Sequence, residues 1–499
     1  MKLRFLAILL ILLYAGCSNV PSNENNSTSS KITDFDLYYI EISSSTALLG
    51  LTNVIEQEVN LDLSKETIIR VKSASITNYG YGYIRLYISD NLLFETNFNL
   101  TNRFVTRTYS FSPNLTYSTN VRVIFALSNI NPSQIVMLDI LSISNNDEEK
   151  ISNPTFFDNL SNWNIGNFFN INPKEKTLRL LASLRGIYIG AAVTPDPLKN
   201  EPLYSNTLVR EFNMVVPENH MKFELIEPSS NNFDYANADL IVNTAIANNM
   251  KIRGHTLLWH LQSSWVSTII NPTAISNILS NHIYTVMKRY SNKVSYWDVV
   301  NEAIDDDPTT SGYPNSLRKS FWWTNLGNQY VEYAFSLARA ADPTAKLFYN
   351  DYGNEGYNGW NNKSYETFLL VSNLKAKGLI DGVGLQMHID TSGYPMNDNF
   401  AANLQRLAGL GVEIHITEVD VRIPMPAKDI DINKQADIYK QLFTMALSNQ
   451  NVKAILLWGF TDKYSWIPWF YDNSYGDALI FDKNYNRKKA YYAIMEALE

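Results

Sequence analysis

The chain has 499 residues, of which 45% are hydrophobic and 18% charged, so a sizeable core is available and global disorder is excluded. A formal net charge of −8 argues against wholesale nucleic-acid binding, and a single cysteine excludes an intrachain disulfide and a cysteine-based zinc site. At about 150 residues per domain the length points to roughly three units, or one large domain plus a smaller one. The low charge and an aromatic content of 13%, with 30 Tyr and 10 Trp, suit a protein that handles neutral polar ligands such as sugars.

Lys2 and Arg4 form a short basic start, and residues 5–14 are an unbroken apolar run, too short to span a bilayer but right for a signal-peptide core. Ala15 and Gly16 are small, as a peptidase site needs, and Cys17 follows at once. Residues 1–17 resemble a bacterial lipoprotein signal, with Tyr14 where Leu is usual and Leu13 one position further out. The resemblance implies export and a lipidated Cys17 that anchors the chain to the cell envelope, at the outer membrane or cell surface. An ordinary secretory signal is the alternative. Residues 18–35 are rich in Ser, Asn and Thr, cannot bury a core, and read as a flexible linker that holds the rest off a membrane.

From 36 to 145 the pattern has period two. Gly82, Ile84, Leu86 and Ile88 share one face of a strand, and Tyr79, Tyr81, Tyr83, Arg85 and Tyr87 share the other. Further runs at 92–100, 104–111, 121–127 and 135–143, broken by Asn, Ser and Pro, predict an antiparallel β-sandwich. The closing run 135–143 resembles the last strand of jelly-roll carbohydrate-binding modules, which implies glycan binding. A sandwich serving only as spacer is the other reading. Residues 146–180 are expected to be a structured connector, although 153–163 looks like the opening of a second such module.

Beyond residue 180 short apolar runs end abruptly in polar or aromatic residues, and each is followed by a helical stretch. The runs are 186–193, 211–219, 251–259, 294–302, 346–352, 382–388, 413–420 and 454–460, with amphipathic helices such as 328–341 and 433–448 between them. Eight strand-then-helix units over 181–499 predict an α/β domain of the (β/α)8 TIM-barrel type, whose site lies at the C-terminal strand ends.

Those ends are rich in chemistry. They carry Glu218, Asn219 and nearby Lys222; His255, Trp259, His260 and Gln262; Asp298, Asn301 and Glu302; Asn350, Asp351 and Tyr352; Gln386 and His388; Glu418 and Asp420; Trp458 and then Trp466. The chemistry that fits is glycoside hydrolysis by two carboxyl groups. Strands four and seven face each other across an eight-membered ring, so Glu302 and Glu418 can flank one bond. Period-two parity places Ile414, Ile416, Glu418 and Asp420 on an inward face, and leaves His415 facing the helix layer without a role.

Residues 181–499 resemble the glycoside hydrolase family 10 xylanases. The matching motifs are 218–223 (ENHMKF), 254–260 (GHTLLWH), 297–302 (WDVVNE), 416–420 (ITEVD) and 458–466 (WGFTDKYSW), in the family's order. The resemblance implies endo-β-1,4-xylanase activity with net retention, Glu302 as acid/base and Glu418 as nucleophile. It also places Glu218, Asn219, Lys222, His255, Trp259 and Gln262 around the sugar on the non-reducing side. Phe223 stands where Trp is common, and Leu261 with Ser263 and Ser264 departs from the usual Ser and Leu-Pro, which bears on the shape of that wall.

The residue types suit these roles. Asn301 can bond the 2-hydroxyl of the sugar under attack. His388 can donate to Glu418 and keep it ionised. Trp259, Trp458 and Trp466 offer flat faces to pyranose rings, and Lys222 and Glu218 can hold hydroxyls. Tyr352 and Gln386 complete the expected sugar-binding set. His255 and His260 are not a helical i, i+4 pair and lack the Glu of a zincin, so no metal and no cofactor are expected. The partners expected are xylan or xylo-oligosaccharides and, through the lipid, a membrane; no nucleic acid is expected, and the chain should be a monomer. A β-1,4-glucanase or mixed-linkage glucanase is the alternative enzyme, and a non-catalytic glycan-capture lipoprotein the alternative of another class.

Overall fold

The computed structural model describes residues 38–43, 52–113, 115–131, 134–145, 148–151, 163–165, 170–308, 312–357, 362–393 and 398–499. The expected signal at 1–17, the linker at 18–35 and most of the 153–163 motif lie outside these residues. The chain divides near residue 177 into two compact units.

The first unit is built from β1 (Tyr38–Ser43), β2 (Thr52–Asp62), β3 (Thr67–Ser75), β4 (Tyr81–Ile88), β5 (Asn91–Asn99), β6 (Val105–Phe111), β7 (Ser118–Ser128), β8 (Val136–Asn145), β9 (Glu148–Glu149), β10 (Asn164–Ile165) and β11 (Asn170–Glu175). One sheet runs β11-β1-β8-β3-β6 with β9 on β8, and the other runs β10-β2-β7-β4-β5. Alternation is the reason they stack. In β4, Ile84 and Leu86 are buried in a core shared with Val71, Val123, Phe125 and Leu141, while Tyr79 and Tyr81 stay exposed. Gly82 belongs to the buried face, where a Cβ would meet the Phe98 ring at 2.3 Å.

The stretch expected as a connector is partly sandwich. β11 pairs antiparallel with β1 from Tyr38↔Glu175 to Ser43↔Asn170, β10 pairs with β2, and Trp163 sits in the core. Those pairings join residues more than 100 positions apart and leave no local periodic signature.

The second unit is an eight-stranded parallel barrel. Its staves are β12 (Tyr188–Val193), β13 (Met214–Pro217), β14 (Lys251–Leu258), β15 (Tyr296–Asn301), β16 (Lys346–Asp351) and β17 (Gly382–Leu385), followed, after the short β18 (His388–Asp390), by β19 (Glu413–Pro424) and β20 (Val452–Leu457). β12 pairs with β20 and closes the ring, and β21 (Tyr475–Gly476) adds to the far end of β19. All eight expected runs fall on staves, and the helices expected at 328–341 and 433–448 occupy Tyr330–Ala341 and Asp429–Leu447. Ala192, Met214, Val216, Ala454, Leu456 and Trp458 fill part of the barrel interior, with Tyr188 and Tyr296 packed against them. The barrel is therefore a packed core, and open space begins at its rim.

Parity fails in two staves. His415 was expected to face the helices, but its Nδ1 lies 2.9 Å from the buried Arg253 Nη1 and its ring lies 4.4 Å from Phe348 and 5.0 Å from Tyr296. It points into the barrel. The β19–β20 register shifts between Ile416 and Val419, so strict alternation cannot be carried through to Glu418. The β15–β16 register likewise shifts between Asp298 and Val300. Beyond it the consecutive Asn301 and Glu302 both reach the rim, and Glu302 adopts a left-handed backbone at φ 55°. That conformation costs a non-glycine residue on the order of 1–3 kcal/mol, and such strain gathers at functional sites.

Candidate active site

The C-terminal strand ends surround a cleft of about 960 Å³. Of the residues expected there, Glu218, Asn219, Lys222, His255, Trp259, Asn301, Glu302, Tyr352, Gln386, His388, Glu418, Trp458 and Trp466 all line it. Gln262 does not belong to the lining; its amide donates to Ser267 Oγ at 2.9 Å.

Glu418 sits at the bottom, nearly buried. Asn350 Nδ2 donates to its Oε1 at 2.7 Å, and His388 Nε2 lies 3.2 Å from its Oε2. Burial alone would raise the Glu418 pKa, but the His388 hydrogen bond, the electrostatic influence of His255 and His388, and the Asn350 bond outweigh it and lower the pKa. His388 is itself clamped, with Nδ1 2.8 Å from Asp420 Oδ2, which also accepts from the Trp466 indole at 2.9 Å. Burial disfavours the charged imidazole, yet Asp420 first and Glu418 second raise it to about 10. At neutral pH His388 is therefore an imidazolium set between the Asp420 and Glu418 side chains.

Asn350 acts twice, because the same Nδ2 also reaches Asn301 Oδ1 at 2.8 Å, while Thr417 donates to Asn350 Oδ1 at 2.6 Å. Space for this amide depends on Gly384, where a Cβ would stand 2.1 Å from Asn350 Oδ1. Glu302 meets different partners: Trp259 Nε1 donates to Oε2 at 2.8 Å and Gln386 Nε2 donates to Oε1 at 2.9 Å. His260 Nδ1 lies 3.6 Å from Glu302 Oε2, and burial, helped by the Arg318 charge, lowers that imidazole to about 4, so it is neutral.

The β13 side of the cleft mixes charge and aromatic faces. Lys222 Nζ donates to Asn219 Oδ1 at 2.7 Å and lies 5.1 Å from the Trp259 ring centroid and 5.9 Å from that of Trp458. Burial raises Glu218 to about 7 against the pull of Lys222 and Asn219, and burial lowers Lys222. Beneath them Asp298 accepts two bonds from Arg253 and faces His255 Nδ1 at 3.0 Å, which fixes the ring. On the other side Arg318 donates to the Tyr352 hydroxyl at 3.1 Å, and Lys363 lies 3.5 Å from the Tyr352 ring centroid.

Several lining residues escaped sequence reasoning. Arg318 and Glu355 lie in loops with no periodic signal, and Glu355 binds the amides of Gly353 and Met387 at 3.2 and 3.0 Å. Asn350, whose strand-end position was the available signal, was not expected to hold Glu418. Trp469 and Phe470 of the short helix Ile467–Phe470, with Tyr471 just after it and Arg422, also line the wall.

Residues 177–497 match the profile of glycosyl hydrolase family 10. The chain is 40% identical over 341 residues to endo-1,4-beta-xylanase B of Thermotoga neapolitana, covering 67% of this chain and 95% of that protein. It is 39% identical over 324 residues to exoglucanase XynX of Acetivibrio thermocellus, covering 62% of this chain and 28% of that much longer protein. Among solved structures, native xylanase 10B from Thermotoga maritima and xylanase 10B from Thermotoga petrophila RKU-1 in complex with xylobiose each superpose with a TM-score of 0.61 at 42% identity, covering 65% of this chain and 98% of theirs.

Proposed function

Because this chain belongs to glycosyl hydrolase family 10, we propose that it hydrolyses internal β-1,4-xylosidic bonds of xylan with net retention, Glu418 being the nucleophile and Glu302 the acid/base. The observation that carries the assignment is the contrast between the two carboxyl groups. Glu418 is held anionic by the His388–Asp420 pair and by Asn350, while the Glu302 carboxyl accepts hydrogen bonds from the uncharged Trp259 indole and Gln386 amide and has the neutral His260 ring nearby.

In the first step a Glu418 oxygen attacks the anomeric carbon, the bond to the departing oxygen breaks, and the Glu302 proton goes to that oxygen. Attack consumes the Glu418 charge, after which Glu302 can ionise. It then takes a proton from water, whose oxygen displaces Glu418 and restores the starting configuration. Trp259 and Gln386 fix the plane of the Glu302 carboxyl through both steps. Asn301, set by Asn350 and Gln386, would bond the 2-hydroxyl, and Glu218, Asn219 and Lys222 would hold hydroxyls of the glycone. A retaining enzyme needs carboxyl groups about 5–5.5 Å apart rather than about 6.5–9.5 Å.

The test is a pair of variants. Glu418→Ala should abolish turnover on every substrate. Glu302→Ala should lose about 10²–10⁴-fold on xylan. It should keep the first step on an activated aryl xyloside, and added azide should restore turnover with a β-azide product. An inverted first product from the wild type, read by NMR, overturns both roles. A glucanase reading draws on the similarity to a relative named exoglucanase, and a product profile on xylan, β-glucan and carboxymethylcellulose separates the two.

The remaining organisation is part of the same proposal. Residues 1–17 would export the chain and anchor it through Cys17, 18–35 would tether it, and the chain would act as a monomer. The sandwich would hold glycan on Tyr79 and Tyr81, which are 49% and 39% exposed beside a groove of about 620 Å³ lined also by Asn78, Asn99 and Asn102. Tyr83 is half-buried, 3.5 Å from Ser128 Oγ, and lies outside that groove.

A further inference from the structure

The cleft wall past Trp466 rises into solvent as a row of aromatic rings. Trp458 at its foot is 8% exposed, whereas Phe470 is 57% exposed and Trp469 82%. All three line the same cleft as Glu302 and Glu418. The exposed pair stands on a firm base. Trp469 and Phe470 belong to the short helix Ile467–Phe470, whose Ile467 is fully buried against Ala478 and Leu479. The Phe470 ring lies 4.9 Å from both Trp466 and Tyr471, and the Arg422 guanidinium lies 4.7 Å from the Tyr471 ring and 5.3 Å from that of Tyr475. Ile467 and Tyr471 supply the packing that fold stability asks of this turn, so Trp469 is left with its indole in water.

A lone exposed aromatic needs no explanation. Two adjacent ones at the rim of a substrate cleft, continuous with aromatic faces that descend to the reacting carboxyl groups, have one occupant that fits: a more distant ring of the same polysaccharide. An indole offers a flat apolar face to the C–H face of a pyranose and loses little side-chain freedom when covered. We propose that Trp469, supported by Phe470, is a sugar-stacking platform at the outer end of the cleft, and that it makes the enzyme favour chains long enough to reach it. The inference rests on the xylanase reading and adds a determinant of chain length to it.

The experiment compares kcat/KM on xylohexaose and on an aryl xylobioside for the full chain, Trp469→Ala and Trp469→Phe. Covering roughly 55 Å² of apolar surface corresponds to about tenfold in affinity. The long-to-short ratio should therefore fall about tenfold in Trp469→Ala, mainly through KM, and by less than threefold in Trp469→Phe, which keeps an aromatic face. An unchanged ratio in Trp469→Ala, whether activity is retained or lost equally on both substrates, overturns the platform. A wild type active on neither xylan nor xylohexaose overturns the xylanase reading itself, and the platform with it; a wild type active on both, with the ratio unmoved, overturns the platform alone.

Discussion

His388→Gln probes the charge row beneath Glu418, the proposed nucleophile. Glutamine approximates the reach of histidine and can still donate a hydrogen bond, but it carries no charge. In the wild type the imidazolium faces Asp420 at 2.8 Å and Glu418 at 3.2 Å, with both carboxylates almost out of solvent. Removing one partner of a buried ion pair costs about 3–5 kcal/mol. Coulomb's law at an effective dielectric of about 20 gives about 4 kcal/mol for unit charges 4 Å apart, which agrees. Either carboxyl can relieve the loss by taking a proton, and the part that falls on Glu418 is the part catalysis reads. At 1.36 kcal/mol per pH unit the full cost equals an upward shift of about 2–4 units. Asn350 still donates to Glu418, and Trp466 still donates to Asp420, so the lower end, about 2 units, is expected. The assay is kcat/KM against pH on an aryl xylobioside with a good leaving group, where the acid limb reports the ionisation of Glu418 in the free enzyme. That limb should move up by about 2 units in His388→Gln, with most of the activity returning at alkaline pH. The stability signs follow from the same shifts. His388 is raised, so its contribution is complete below its unfolded value near 6.5 and is lost as pH rises through about 10. Glu418 is lowered, so its contribution is present above the unfolded value near 4.5 and is lost as pH falls through its depressed value. The melting-temperature advantage of wild type over variant should peak near pH 6 and shrink toward both pH 10 and strong acid. An acid limb that stays in place while kcat/KM falls equally at every pH would refute the electrostatic account and leave His388 a shape-filling role.

If Cys17 carries the lipid, Cys17→Ser should move the protein from the membrane pellet to the soluble fraction; equal retention of both forms rules out the anchor. If the sandwich grips glycan, Tyr79→Ala/Tyr81→Ala in a full-length Glu302→Ala background should reduce pull-down on insoluble xylan about tenfold, the effect of uncovering two aromatic faces. Unchanged depletion would return the sandwich to the role of spacer.

Much of this molecule is written in local patterns. A stave of a parallel barrel is buried on both faces, so it reads as a short apolar run, and its C-terminal end shows where the run meets Glu, His or Trp. That is why the runs ending at Glu302 and Glu418 could be found without a structure, and why the alternating residues 81–88 announced a sandwich strand. Pairing decided the rest. Whether His415 or Ile416 enters the barrel depends on a register shift against β20, a neighbour whose position no local pattern encodes. The left-handed turn at Glu302, which lets Asn301 and Glu302 reach one cleft, follows a similar shift against β16. β11 joins the sandwich because β1 offers it an edge from 130 residues away, so the 146–180 stretch read as a connector. Gln262 found Ser267 rather than the cleft, and Asn350 found Glu418, because side-chain partners are chosen by loops and facing strands. Residue type and periodicity set which groups reach the rim of the barrel; only the closed ring, where register and curvature are shared by all eight strands, sets which of them meet.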